Sequence, residues 1–242
     1  MQPLLYGELT PWYRLVDPPA DHLDEAVAFR QAFERAVTPP PGTLLELGAG
    51  AGHNAVHLKE HYRCTLTDLS ESMLSLSRQL NPSCEHVQAD MRTLRLGREF
   101  DLVLIHDAIC YMLTRQDLRA AVATAFVHTR PGGAAIFAPD VYREIFRDET
   151  ETLSEDDGQR SLRAVMWSWD PDPADETYTV DFAFLLRDGV QMRAVHDRHV
   201  EGLFSRHTWI DTLREAGFRV ETLPRPTGEE TEDEVFLCLR PR

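Results

Sequence analysis

Apolar residues recur along this chain in two rhythms. Leu23, Ala26, Val27, Phe29, Ala32, Phe33 and Val37 fall three or four apart, which predicts a helix over 20–37, ended by Pro39, Pro40 and Pro41. Short apolar runs then alternate with helical periodicity. Strands are expected at Thr43–Leu47, Tyr62–Asp68, Cys84–Ala89, Phe100–His106 and Ala134–Ala138. Helices are expected at Ala51–Glu60, Ser70–Leu80 and Gln116–Thr129, with Ser70 as an N-cap. Repeated strand–helix units of this kind predict a parallel, Rossmann-like doubly wound sheet covered on both faces.

The rhythm changes after residue 140. Residues 148–158 are acidic and read as a loop. Ser161–Phe204 reads as three strands with a hairpin turn at Arg187–Gly189, forming a small antiparallel β insertion. Helical spacing returns at Thr208–Ala216, with Gly217 as its C-terminal cap. Two strands follow, Phe218–Leu223 and Glu234–Leu239, joined by a polar, acidic loop. The chain is read as one α/β domain over 1–242. Its parts are a helical lid (1–40), a cofactor-binding core (41–140), the β insertion (141–204), and a C-terminal helix with the last two strands (205–242).

The chemistry concentrates where predicted strands end. Glu46–Gly52 reads ELGAGAG between a strand and a helix. Glycines there let backbone approach a ligand, and the helix start offers free N–H groups. A dinucleotide fingerprint needs a third glycine at the position of His53, and an acid at Glu46 is foreign to it. Glu46 suits a ligand with an ammonium group. Asp68 ends the second strand, where an acid accepts ribose hydroxyls. Asp90 follows the third strand and can face an adenine amino group, with Met91 against the ring. His106 and Asp107 end the fourth strand at the crevice where such sheets bind ligands.

Taken in order, LELGAGAG (45–52), TDLSESM (67–73), QADMR (88–92), FDLVL (100–104) and RPGG (130–133) resemble the class I S-adenosylmethionine-dependent methyltransferases. The resemblance implies a seven-stranded sheet with an antiparallel last strand and S-adenosylmethionine as cofactor. It implies that Glu46, Gly48 and Gly50 lie along the methionine part, that Asp68 binds ribose, that Asp90 and Met91 hold adenine, and that His106 lies near the sulfonium. Ala49, Leu69 and Arg92 complete the expected cofactor set. The second half is similar to small-molecule N-methyltransferases, including enzymes that dimethylate amino sugars. That similarity rests on HDRHVEGLF (196–204), EAGF (215–218) and the segment from Tyr6 to Tyr13, which closes over the cofactor in those enzymes.

Expected catalytic groups are Tyr13, His106 and Asp107. Expected substrate groups are Tyr13, Tyr111, Asp140, His199 and Glu201, with His199 and Glu201 on one strand face by period-two spacing. Each has an ordinary structural reading beside it, such as a turn cap at Asp140. The stripe His53, His57, His61 is read as packing, and no metal is expected. Trp167 and Trp169 are read as packing in the insertion or a contact of a homodimer.

A formal net charge of −15 repels phosphate backbones, so nucleic acid is not expected as a partner. The four cysteines form no Cys-x-x-Cys pair, which fits a reducing cytoplasm. No basic region leads a long apolar run at the start, and no membrane span is expected. Two alternatives accompany the methyltransferase reading: a protein that binds the cofactor without turnover, and a nicotinamide-dependent oxidoreductase.

Overall fold

The computed structural model describes residues 3–225 and 233–242. Two sheets organise them. The larger has seven strands: β1 (Thr43–Leu47), β2 (Arg63–Asp68), β3 (Glu85–Gln88), β4 (Phe100–Ile105), β5 (Thr129–Phe137), β10 (Arg219–Pro224) and β11 (Glu234–Leu239). Their order is β10-β11-β5-β4-β1-β2-β3. β11 runs antiparallel to both neighbours and the other pairings are parallel. Strand order reverses between β1 and β4, so loops leaving them diverge and open a crevice.

Helices α1 (Tyr13–Val16), α2 (Leu23–Ala36), α3 (His53–Leu58), α4 (Glu71–Leu80), α5 (Arg115–His128) and α6 (Arg206–Glu215) complete the frame. Alternation along the strands feeds two cores. Leu102 and Leu104 of β4 pack with Phe29, Phe33 and Leu58 on one face, while Val103 and Ile105 pack with Leu118, Val122 and Trp209 on the other. Each such buried side chain contributes roughly 1.5–3 kcal/mol over an exposed one. α2 is therefore a core helix. Only the strap before it, Pro3–Val16, crosses to the second sheet, where Leu5, Leu9 and Trp12 pack on Leu162, Phe182 and Phe184.

That second sheet has four antiparallel strands: β6 (Glu149–Asp156), β7 (Arg160–Trp169), β8 (Thr177–Asp188) and β9 (Gln191–Gly202). β6 corrects the expectation of a loop at 148–158. Its acids hid a strand paired with β7 along its whole length, from Glu149 opposite Ser168 to Asp156 opposite Ser161. Charge on an edge strand is how sheets avoid pairing with other chains. The turn expected at 130–133 is also part of a strand. β5 begins at Thr129 and kinks through a bulge, with Gly132 at φ 75°. The hairpin at Asp188–Gln191 uses Gly189 at φ 58°, as the sequence requires. Most of the acidic run at 229–234 lies outside the described residues.

Ser70 serves two elements. Its hydroxyl accepts from Met73 N–H (3.2 Å), capping α4, and donates to Tyr6 C=O (2.6 Å) in the strap. Ser70→Ala is expected to cost about 1 kcal/mol. That corresponds to a loss of roughly 2–4 °C in thermal midpoint by calorimetry.

Candidate functional site

A cavity of about 1080 Å3 runs from the glycine loop, over the carboxyl ends of the parallel strands, to the inner faces of β8 and β9. Every candidate residue named from the sequence lines it. The volume exceeds that of an ordinary single-ligand pocket and leaves room for two.

At one end, β1 turns away through Gly48 at φ 74°; a Cβ there would collide with the Ala108 side chain and lie 2.8 Å from Met91 Cε. The loop leaves a stretch of bare backbone, with Ala49 beside it. Asp68 supports the loop: its Oδ2 accepts Gly50 N–H (2.8 Å) and its Oδ1 accepts Ser70 N–H (2.7 Å). Burial nevertheless raises its carboxyl. Asp90, expected to meet a ligand amino group, is already forked by Arg92, which also reaches Asp117 at 3.0 Å. Arg92 holds the Asp90 carboxyl below its usual range. Leu69 is exposed at the cavity edge.

Glu46 faces the same end. Its side chain is 2% exposed, and its Oε2 has no hydrogen-bond partner among the described residues. Burial pushes its carboxyl up to about 7, against the pull of His106 and His22. A buried acid left without a partner costs stability unless something cationic meets it.

His106 stands between two carboxylates, its Nε2 2.5 Å from Glu25 and its Nδ1 3.0 Å from Asp107. Arg225 braces this group at 3.1 Å from Glu25. Tyr13 donates to Asp17 (2.9 Å), which also meets His22 (2.7 Å) and His53 (3.2 Å). The histidine stripe read from the sequence is thus divided. His53 and His57 fasten the segment at 17–22, His57 through Pro19 C=O at 2.8 Å, while His61 lies past the helix beside Tyr62. The ligating atoms of Asp17, His22 and His53 lie within 4.8 Å of one another, close enough to share a cation.

The other end is a chamber of acids, phenols and imidazole. Both side chains open onto the cavity, yet desolvation by its walls pushes Asp107 up to about 6 and, with the charge of Asp107, raises Asp140 above the carboxylate range. Burial, then the charge of Asp140, pushes Glu201 up to about 7; Tyr178 donates to it. The Tyr111 hydroxyl is 2.7 Å from His199 Nδ1 and 2.9 Å from the Tyr6 hydroxyl. Sequence reading missed Asp17, Glu25 and Arg225, which no local pattern marks. It also missed Asp197, which the spacing that paired His199 with Glu201 would have found.

Residues 44–133 match the model of the methyltransferase domain family. The chain is 31% identical over 192 residues to the dTDP-3-amino-3,4,6-trideoxy-alpha-D-glucopyranose N,N-dimethyltransferase of Streptomyces venezuelae, covering 78% of this chain and 80% of that enzyme. The chain belongs to the class I S-adenosylmethionine-dependent methyltransferases. The crystal structure of Streptomyces venezuelae DesVI superposes with a TM-score of 0.83 at 27% identity, covering 98% of each chain. The fold is also that of the sugar N-methyltransferase KedS8 from Streptoalloteichus sp., with a TM-score of 0.86 at 22% identity, covering 97% of this chain and 93% of that one. The cofactor of this methyltransferase is S-adenosylmethionine. The unpartnered Glu46 oxygen suits its ammonium group, and the bare backbone that Gly48 and Gly50 present to the cavity suits its close approach. None of the described helices is long and apolar enough to cross a membrane.

The His22 to Asp17 pair fastens the segment below the strap. Burial lowers the His22 pKa, but Asp17 outweighs it and the net shift is upward. A raised histidine contributes stability that is present below about pH 6.5 and lost as pH rises through the folded value. Limited proteolysis within 13–22 is therefore expected to speed up severalfold from mildly acidic to mildly alkaline pH. His22→Gln should flatten that dependence.

Proposed function

We propose that this methyltransferase N-methylates a small amine, with an amino sugar as the acceptor class. One observation carries the reading: a single cavity joins the Glu46 and glycine-loop end to a chamber lined by three acids of raised pKa. The names of the similar enzymes supply the sugar. Bound S-adenosylmethionine supplies an electrophilic methyl on sulfur, with the carbon–sulfur electron pair leaving to sulfur.

The chain's own residues hold and orient. Glu46 would pair with the ammonium of the methionine part, Gly48, Ala49 and Gly50 would lie along its backbone, and Asp68 would take the ribose hydroxyls. Asp90, Met91, Leu69 and Arg92 would frame the adenine. His106, clamped by Glu25 and Asp107, would form the wall beside the reacting atoms. Asp107, Asp140 and Glu201 would draw in an ammonium, and Tyr13 and Tyr111 would orient it. An amine attacks only when neutral, so a neighbouring base must take its proton. Alignment and exclusion of water supply the remaining acceleration. With a net charge of −15, nucleic acid is no partner in this reading, and the enzyme works in the cytoplasm.

The test is calorimetric titration with S-adenosylhomocysteine beside NAD, followed by mass spectrometry of dTDP-3-amino-3,4,6-trideoxy-alpha-D-glucopyranose incubated with S-adenosylmethionine. One and then two added methyl groups are expected. Binding without methylation of any amine would leave a cofactor-binding protein; NAD binding alone would indicate an oxidoreductase. Glu46→Gln should weaken S-adenosylhomocysteine by roughly 10–150-fold, the worth of a hydrogen bond to a charged group. Wild-type affinity should fall as pH drops through about 7, where Glu46 takes up a proton, and the variant should lose that slope.

A homodimer through the second sheet belongs to the same reading. Its outer face carries Val165, Trp167, Leu185 and Met192 at 43, 50, 50 and 70% exposure, with Trp167 stacked on Trp169 at 5.6 Å. An apolar face of that kind marks an interface. Light scattering after size exclusion should give twice the chain mass, and Trp167→Glu with Leu185→Glu should give the monomer with its cofactor affinity intact.

A further inference from the structure

Three residues of β9 alternate onto its inner face: Asp197, His199 and Glu201, all nearly inaccessible to solvent. Asp197 is the one of the three that does not line the cavity. Its carboxylate accepts Leu4 N–H at Oδ1 (3.0 Å) and Leu5 N–H at Oδ2 (2.8 Å), both in the strap. The same Oδ2 lies 3.1 Å from His199 Nε2. A carboxylate accepts hydrogen bonds only, so Nε2 must carry the ring proton. Burial lowers the His199 pKa, which keeps the ring neutral. Nδ1 is then the bare nitrogen, and it faces the Tyr111 hydroxyl at 2.7 Å.

We infer that Asp197, His199 and Tyr111 form a proton relay for the acceptor amine, with Asp197 as the positioning residue that fixes the tautomer. The inference rests on the amine-methylating reading above. An ammonium in the chamber gives a proton to the Tyr111 oxygen as the Tyr111 proton passes to His199 Nδ1. The amine is left with its lone pair, the imidazole becomes imidazolium, and the Asp197 carboxylate stabilises that charge. The lone pair then bonds to the methyl carbon, the carbon–sulfur bond breaks with its electrons on sulfur, and His199 releases its proton to water before the next cycle.

The order of pKa values supports this path. Burial, then the charges of Tyr6 and Glu201, raises Tyr111 well above the phenol range, so it passes a proton on and does not persist as phenolate. The titratable groups facing His199 are Asp197 and Glu201 from its own strand, Tyr111 from the turn at 107–111, and Tyr6 from the strap. Glu201 is 3.9 Å from Nδ1, and the Tyr6 ring is 5.5 Å from the imidazole. Asp197 also holds the Leu4 and Leu5 amides, so the carboxylate that fixes the His199 tautomer also fastens the strap over the chamber.

The experiment has two readouts. Nitrogen-15 NMR of the histidine rings in the protein alone, with His199→Gln assigning the resonance, should show His199 protonated at Nε2; Asp197→Asn should mix or invert the tautomers. The second readout is kcat against pH with dTDP-3-amino-3,4,6-trideoxy-alpha-D-glucopyranose. Losing the Asp197 charge lowers the imidazole pKa, so the acidic limb of the Asp197→Asn profile should move to lower pH. Its plateau should fall by ~10²-fold, with the acceptor KM within about twofold. Asp197→Asn combined with His199→Gln should be no slower than His199→Gln alone, since groups acting as a unit are not additive. His199 protonated at Nδ1, an unmoved limb, or additive losses would each overturn the relay. Wild-type protein that binds S-adenosylhomocysteine yet methylates no amine would remove the reading beneath it, a failure distinct from these three.

Discussion

The site depends on the way β1 ends. Six parallel strands deliver their carboxyl ends to one edge, and the order reverses between β1 and β4, so the loops there part. A ligand can use that gap only if the backbone of β1 leaves it without side chains in the way. Gly48 makes this possible: its positive φ and its contact with Ala108 and Met91 leave no space for even a methyl group. The turn it makes lets Asp68 reach back from β2 to the Gly50 amide, and it sets Glu46 just below the cavity floor. Glu46 is the energetic consequence. A carboxyl with an unpartnered oxygen and a pKa near 7 lowers the stability of the empty protein above the usual carboxylate range. That deficit is recovered when a cation binds, so an unfavourable feature of the free fold becomes a source of specificity.

The second sheet solves a different problem. The parallel sheet alone offers a groove open to water, whereas methyl transfer to an amine needs enclosure. β8 and β9 form the far wall, and the strap closes the remaining side by packing Leu5, Leu9 and Trp12 against the inner face of that sheet. The strap is held by contacts unlike those of the core: Asp197 takes two of its amides, Ser70 donates to Tyr6, and Tyr111 meets the Tyr6 hydroxyl. Elements fastened by a few polar contacts and a small apolar cluster open before the core does. The strap is therefore the wall of the cavity expected to open first.

The cofactor half was legible because its chemistry is local. Each strand carries an acid at or just beyond its carboxyl end, Glu46 within β1, Asp68 closing β2, and Asp90 and Asp107 two residues past β3 and β4, so their positions along the cavity could be expected from the local sequence. Periodicity also gave β4, α5 and the β8–β9 hairpin. β6 was hidden because its acids read as a charge run, whereas an edge strand needs only backbone partners on one side. Asp17, Glu25, Arg225 and the Asp197 clamp were hidden because each is defined by distant contacts. Arg225 meets Glu25 across 200 residues, and Asp197 meets Leu4 across 193. Nothing within a local window encodes such a pair.

The acids of the acceptor chamber also bear on what the site can distinguish. Asp107 raises the pKa of Asp140 and Asp140 raises that of Glu201, while Asp140 lowers that of Asp107 through a hydrogen bond, so together they hold fewer charges than three separate carboxylates would. An arriving ammonium relieves that repulsion and restores the carboxylates to their charged forms. Methylation does not remove this gain: the monomethyl product is a cation once protonated, and so is the dimethyl product. Charge therefore attracts substrate and both products alike and cannot count methyl groups. What stops the reaction must be steric, the room left around the nitrogen by Tyr6, Tyr111, Tyr178 and Phe182, all of which line the cavity. In the amine-methylating reading, charge in this chamber draws the nitrogen in, and the aromatic wall limits how many methyl groups it gains.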